Sequence, residues 1–292
     1  MTNRIESPPA TGLSKWSLGL GITALIIPCL TVIPAVICGH KALSKSNKNP
    51  EVYGGRGLAI AGLVTGYLGL AFSLMIAVPA GMLLPALAKA KSQGKRIACS
   101  SNLRQLGLFF SMYTGDNDSR FPDCRELKLI LPGGYRPWSS WPKSDPRSGW
   151  AAHVLKTYNS QHKMWICPAI LKTTLINYPQ SKQHFDIGEE KMGYSTYWMW
   201  RFDRPDDDIP LDNFWGKTES QIIRDLIQVN NPFIGVPRGS SDVELIVDVY
   251  YPSTVKSLAE EIRGFAVHSD GRNRLMLDNH IDFKHDKRIF KN

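Results

Sequence analysis

Metal-ligating residue types gather near the C-terminal end, where His268, Asp278 and His280 fall within thirteen positions. Their spacing has a plainer account. Leu275-Met276-Leu277 and His280-Ile281-Asp282-Phe283 read as two strands joined by Asp278-Asn279. Asp and Asn both tolerate the positive φ angles of a two-residue hairpin turn, so turn chemistry explains the pattern and no metal is assigned. Asp203–Asp212 holds five carboxylates, including Asp206-Asp207-Asp208. Clustered oxygens suit calcium, but the spacing matches no defined calcium loop and reads as a solvated acidic turn. Of the five cysteines, Cys29 and Cys38 lie in an apolar run, while Cys99, Cys124 and Cys167 lie in the remainder. In an oxidising compartment those three permit one bridge and leave one thiol. The sequence holds no C-x-x-C, G-x-S-x-G, H-E-x-x-H or P-loop, so it specifies neither a catalytic centre nor a cofactor.

The elements that position these residues begin with the charge distribution. The net charge is +9, and all of it resides in residues 1–104. Residues 105–292 hold 24 basic and 24 acidic side chains. A nucleic-acid-binding domain carries its basic excess on the folded body, so that function class is set aside. Here the excess flanks two uncharged runs, Trp16–Gly39 and Gly57–Ala88. As helices they reach about 36 Å and about 48 Å, enough to cross a hydrocarbon core of about 30 Å. The expectation is a transmembrane helical hairpin, with Pro28 and Pro34 kinking its first arm and the lipid bilayer as its first partner. Gly62 and Gly66 form a G-x-x-x-G step at which two helix backbones can approach closely. The intervening His40–Arg56 carries four basic residues and one acid, which places it in the cytoplasm by the positive-inside rule; Lys89–Arg96 pulls the other way. His40 reads as an interfacial residue at a helix end.

Two family resemblances follow. Gly39-His40-Lys41-Ala42-Leu43, with Gly55-Arg56-Gly57-Leu58-Ala59-Ile60-Ala61-Gly62-Leu63-Val64 through Gly66-Tyr67, resembles a bacterial two-helix membrane family of unknown function over residues 16–70. From residue 72 the chain resembles type IV pilin-like and type II secretion pseudopilin-like proteins. The residues concerned are Leu83-Leu84-Pro85-Ala86-Leu87-Ala88-Lys89-Ala90-Lys91, Cys99-Ser100-Ser101-Asn102-Leu103-Arg104-Gln105-Leu106-Gly107, Tyr113-Thr114-Gly115-Asp116-Asn117-Asp118, Phe121-Pro122, Trp165-Ile166-Cys167-Pro168, Tyr194-Ser195-Thr196-Tyr197 and His268 through Phe283. The second resemblance implies a helical stem on an antiparallel sheet, export of the domain, and partners in a secretion or pilus assembly. The chain departs from that family where a leader, a Gly cleavage site and Phe-Thr-Leu-Ile-Glu should open the stem; Ala71-Phe72-Ser73-Leu74-Met75 stands there, with no Glu following. An extra apolar helix takes the leader's place, which implies a permanent anchor rather than a filament subunit.

Cys99, Leu103, Leu106, Phe110 and Tyr113 step by four, three, four and three, an apolar stripe on one helix face, ended by Gly115-Asp116-Asn117-Asp118. Residues 120–240 are rich in loops, with short helices expected over Gly149–Tyr158 and Lys217–Val229. Strands are expected over Glu244–Tyr251, Gly264–Val267 and the two arms around Asp278-Asn279. The fold class is α+β: residues 1–15 a tail, 16–88 a two-helix transmembrane domain, and 89–292 a pilin-like extracytoplasmic domain whose stem continues the second helix. With export, Cys99–Cys167 is the candidate disulfide and Cys124 the competing partner. The expected function is a noncatalytic, multi-pass protein of the bacterial inner membrane acting through protein–protein contacts. The alternative is a tethered extracytoplasmic enzyme or ligand-binding module on the same stem.

Overall fold

The computed structural model describes residues 11–23, 28–158, 161–188, 191–202, 211–231 and 235–290. The chain divides into two compact units, Met1–Lys89 and Ala90–Asn292. It is α+β, with one long helix near its N-terminus and antiparallel sheets.

The first unit is helical: α1 (Gly12–Thr23), α2 (Pro28–Lys48) and the opening part of α3 (Arg56–Asp116). The first apolar run is therefore not one spanning helix. Ser17 Oγ lies 3.5 Å from the Ala35 carbonyl oxygen. In an uninterrupted helix those residues would stand about 27 Å apart. Pro28 is the first described residue of α2, and Pro34 lies inside that helix. The run also does not end at Gly39, because α2 continues to Lys48; His40 sits within it, its Nε2 2.9 Å from the Tyr67 hydroxyl. The stretch read as a basic linker is thus largely helical, and only 49–55 connects α2 to α3.

Small residues let these helices meet. A Cβ added at Gly62 would run into Ser17 Oγ and stand 2.6 Å from the Ser17 carbonyl carbon, so α3 meets the α1 backbone there. At Gly66 the neighbours belong to α2: Val36 Cγ2 at 3.2 Å and Ala35 Cβ at 3.6 Å. The G-x-x-x-G step thus serves two different helices. Farther along α3 the apolar side chains face outward, among them Phe72, Leu74, Met75, Leu83, Leu84 and Leu87. Among the described residues, α3 is the one helix long and apolar enough to cross a membrane.

In the second unit, the last turns of α3 lie on a four-stranded antiparallel sheet of order β3-β4-β5-β6. Its strands are β3 (Tyr197–Trp198), β4 (Glu244–Asp248), β5 (Gly271–Met276) and β6 (Ile281–His285), preceded in the chain by a hairpin of β1 (Gln183–Gly188) and β2 (Lys191–Ser195). The stripe Cys99, Leu103, Leu106 and Phe110 is buried against this sheet, with Tyr113 half-buried at its end. Gly107 marks the closest approach: an added Cβ would stand 2.7 Å from Asn279 Oδ1 and 3.0 Å from Leu275 Cδ1. Asn279 Nδ2 donates to Ser111 Oγ at 2.7 Å, and the Arg96 guanidinium lies 4.5 Å from the centre of the Phe283 ring.

The loop-rich middle packs through aromatic rings and short helices: α4 (Leu127–Ile130), α5 (Gly149–Val154) and α6 (Glu219–Val229). Trp150 packs in tilted contact with Phe202 and Trp215, with ring centroids 4.7 and 4.6 Å apart. In α6, Thr218 and Gln221 form a reciprocal capping box and Asn230 closes the helix at φ 45°. Gly264–Val267 forms no full strand, contributing the bridge between Ala266 and Tyr250.

Candidate functional site

The hairpin read as a two-residue turn is longer. Met276 accepts from the Asn279 N–H at 3.0 Å and donates to the His280 carbonyl at 3.0 Å. Leu277, Asp278 and Asn279 form the loop, and Asn279 alone of the three has positive φ, at 68°. This is a three-residue turn closed by a left-handed residue. Leu277 stays out of the turn's solvent face because it is buried and its N–H donates to Val243. Asp278 and His280 pair with each other at that exposed tip, Oδ1 to Nδ1 2.6 Å, and His268 does not join them.

His268 is buried elsewhere. Its Nε2 lies 3.2 Å from Asp248 Oδ2 and 3.8 Å from Cys167 Sγ. Cys167 is disulfide-bonded to Cys99, with Cα atoms 5.0 Å apart, which ties the α3 stem to the Trp165-Ile166-Cys167-Pro168 loop. The loop is held again by Asn102, whose Nδ2 donates to the Ile166 carbonyl at 3.1 Å, and by Thr196, whose Oγ1 accepts the Cys167 N–H at 2.8 Å. Asp248 ends β4, directly opposite Tyr197 of β3. Its Oδ2 accepts from Asn273 N at 3.0 Å and from Asn273 Nδ2 at 2.8 Å, and its Oδ1 is buried with no hydrogen-bond partner. Burial, and next the Asp248 charge, push the Tyr197 hydroxyl well above the usual phenol range, so that side chain is neutral.

Asp248 is the member of this centre that the sequence reading did not single out. The signal was present: one carboxylate inside Glu244–Tyr251, a run otherwise apolar after its first residue. A charged side chain in such a strand is buried only with partners to meet it.

Cys124, the competing thiol, is free and half-buried. Burial first, then the charges of Glu126 and Asp123, push it up to about 12, against a smaller opposing effect of Lys128. Most of the acidic stretch 203–212 lies outside the described residues; Asp212 itself pairs with Arg201 and accepts from Asn231 Nδ2 at 3.0 Å. An open cleft of about 430 Å³ lies between the end of α3 and the start of α6. Hydroxyls of Ser111, Thr114 and Ser220, apolar side chains such as Phe110 and Ile223, and Glu219 line it.

The helical unit is the part with a counterpart among known families. Residues 13–77 match a domain of unknown function, DUF4190. The match covers α1, α2 and the first third of α3 and brings no chemistry with it. No pilin or pseudopilin family model matches the remainder. No curated protein and no solved structure matches the chain.

Proposed function

We propose that this chain is a noncatalytic, membrane-anchored, pseudopilin-like protein of the bacterial cytoplasmic membrane, acting through protein–protein contacts in or beside a secretion or pilus assembly. The observation that carries the reading is α3 itself. One helix of 61 residues bears an outward-facing apolar stretch and then an apolar stripe packed on an antiparallel sheet. A stretch of exposed Leu, Met and Phe of that length needs an apolar surrounding, and a bilayer supplies one. Lys41, Lys45, Lys48 and Arg56 gather before the apolar stretch, which favours a cytoplasmic start and an extracytoplasmic domain. The Cys99–Cys167 bridge suits that side. Lateral contacts of the α3 stem and the sheet are the binding surfaces on this reading, and the chain stays in the membrane.

Reporter fusions at Asn49 and Asn292 test the orientation: the first is expected in the cytoplasm and the second outside. Shearing tests the role. The sheared filament fraction is expected to contain none of this chain. A mature form beginning near Ala71 and recovered with filaments would replace this reading with that of a filament subunit.

A further inference from the structure

The side chains at the Cys99–Cys167 bridge are of metal-ligating types and lie close together. One ligating atom from each of Cys99, Cys167, Asp248 and His268 lies within 4.8 Å of the other three, and all four residues are buried. Neighbouring ligand atoms of a tetrahedral zinc centre, with bonds of about 2.0–2.3 Å, stand about 3.3–3.8 Å apart. The 3.2 Å from His268 Nε2 to Asp248 Oδ2 and the 3.8 Å from His268 Nε2 to Cys167 Sγ approximate two edges of such a tetrahedron. Two sulfurs, an imidazole and a carboxylate form a donor set suited to Zn²⁺.

A second observation is independent of these distances. Asp248 is completely buried, yet its Oδ1 takes no hydrogen bond. A carboxylate oxygen with unclaimed lone pairs is costly in a core unless something cationic meets it. Its other oxygen, Oδ2, is the one 3.2 Å from His268 Nε2 and also accepts twice from Asn273, so the carboxylate is fixed beside the imidazole with Oδ1 left to take a cation. The bridge is what keeps the two sulfurs from serving as thiolate ligands.

The geometry points to a second state of this centre: with Cys99 and Cys167 as thiols, the two sulfurs, His268 and Asp248 bind one Zn²⁺. A phosphine reductant opens the bridge, taking an oxygen from water to become the phosphine oxide and leaving two thiols. Zinc then displaces both thiol protons to solvent. In reverse, a small-molecule disulfide accepts the two electrons, takes two protons from solvent and is released as two thiols. The Cys99–Cys167 bond re-forms and the metal leaves. Metal and disulfide therefore exclude each other, and the centre holds the stem to the sheet and the Cys167 loop in both states.

The test uses the full-length chain in detergent micelles, reduced with a phosphine without oxygen and titrated with Co²⁺. The reduced chain is expected to bind one Co²⁺ with tetrahedral ligand-field bands and thiolate charge-transfer absorption, bleached by equimolar Zn²⁺; the unreduced chain is expected to show neither. Asp248→Asn and His268→Gln are each expected to weaken binding by at least about tenfold, while Cys124→Ser leaves it unchanged. If a variant does not fold, the wild-type charge-transfer intensity still reports whether two thiolates coordinate. Absence of saturable binding by the reduced chain, a spectrum without thiolate absorption, or undiminished binding in both ligand variants would each overturn the proposal. Its outcome is separate from the filament test, since it requires no anchor orientation and no partner.

Discussion

Arg147 and Asp145 form a buried ion pair, Nη2 to Oδ2 2.8 Å, with a further bond from Nε to Oδ1 at 2.9 Å. Burial alone would raise the Asp145 carboxyl. The hydrogen bonds from Arg147 and the charges of Lys128 and Arg147 outweigh it and hold the group below its ordinary range. Arg147→Met removes two charge-assisted hydrogen bonds from a buried carboxylate, so it is expected to destabilise the domain by about 3–5 kcal/mol, read as a fall in the urea midpoint at unchanged slope. Cys124 provides a residue-scale prediction of opposite character. A thiol pushed up to about 12 is almost entirely protonated at pH 8, and the thiolate is the nucleophile. Alkylation of Cys124 in the folded chain at pH 8 should be far slower than that of a free cysteine peptide, and denaturant should abolish the difference.

At the scale of elements, α6 and α3 depend on different things. The apolar side of α6 buries Ile222 and Leu226, and its first turn relies on the Thr218–Gln221 capping box. Thr218→Ala removes the acceptor for the Gln221 N–H, at 3.3 Å, and should cost about 1 kcal/mol in chemical denaturation. In α3 the critical positions are those without a side chain. Gly62→Leu would push a branched side chain into the Ser17 backbone, while Gly66→Ala meets only Val36 and Ala35 atoms at 3.2 Å and beyond. A cysteine pair placed at Ser17 and Leu63 for cross-linking is expected to lose its efficiency in Gly62→Leu and to retain most of it in Gly66→Ala.

For the molecule as a whole, the bridge and the ionic network govern the second unit. Cys99 and Cys167 are separated by 68 positions. Closing a loop of that length restricts the unfolded chain by about 4 kcal/mol, so reduction in the presence of a chelator should lower stability by up to that amount. The acid response follows from Asp145 and from Asp286. In Asp286 the hydrogen bond from Arg288 leads, against burial, and the nearby Arg288 and Arg272 charges add to it; the carboxyl lies well below its ordinary range. A carboxylate with a lowered folded pKa binds protons more readily in the unfolded chain. Its contribution is therefore complete above the ordinary carboxylate value of 3.8 and is lost as pH falls below it. Unfolding free energy should decline steeply below about pH 4, measured by denaturation at a series of pH values.

The amino-acid order alone determined features that depend on local period and composition. The stem stripe from Cys99 to Phe110, the α6 helix with its Thr218 start, the strand at Glu244 and the apolar character of Gly57–Ala88 were legible because each is a pattern repeated within one element. Tertiary structure decided the rest. The run Trp16–Gly39 has the composition of one spanning helix, yet Ser17 of α1 meets Ala35 of α2, and Gly62 and Gly66 of α3 lie against both helices. Periodicity carries no information about such packing. His268 and His280 looked equivalent in the sequence as candidate ligands twelve positions apart. The sheet buries one against Asp248 and Cys167 and leaves the other at an exposed tip. Strand register and the stem's close approach at Gly107 bring together residues as distant as Cys99 and His268. No local pattern encodes that meeting, because its free energy comes from surfaces brought into contact only when the core closes.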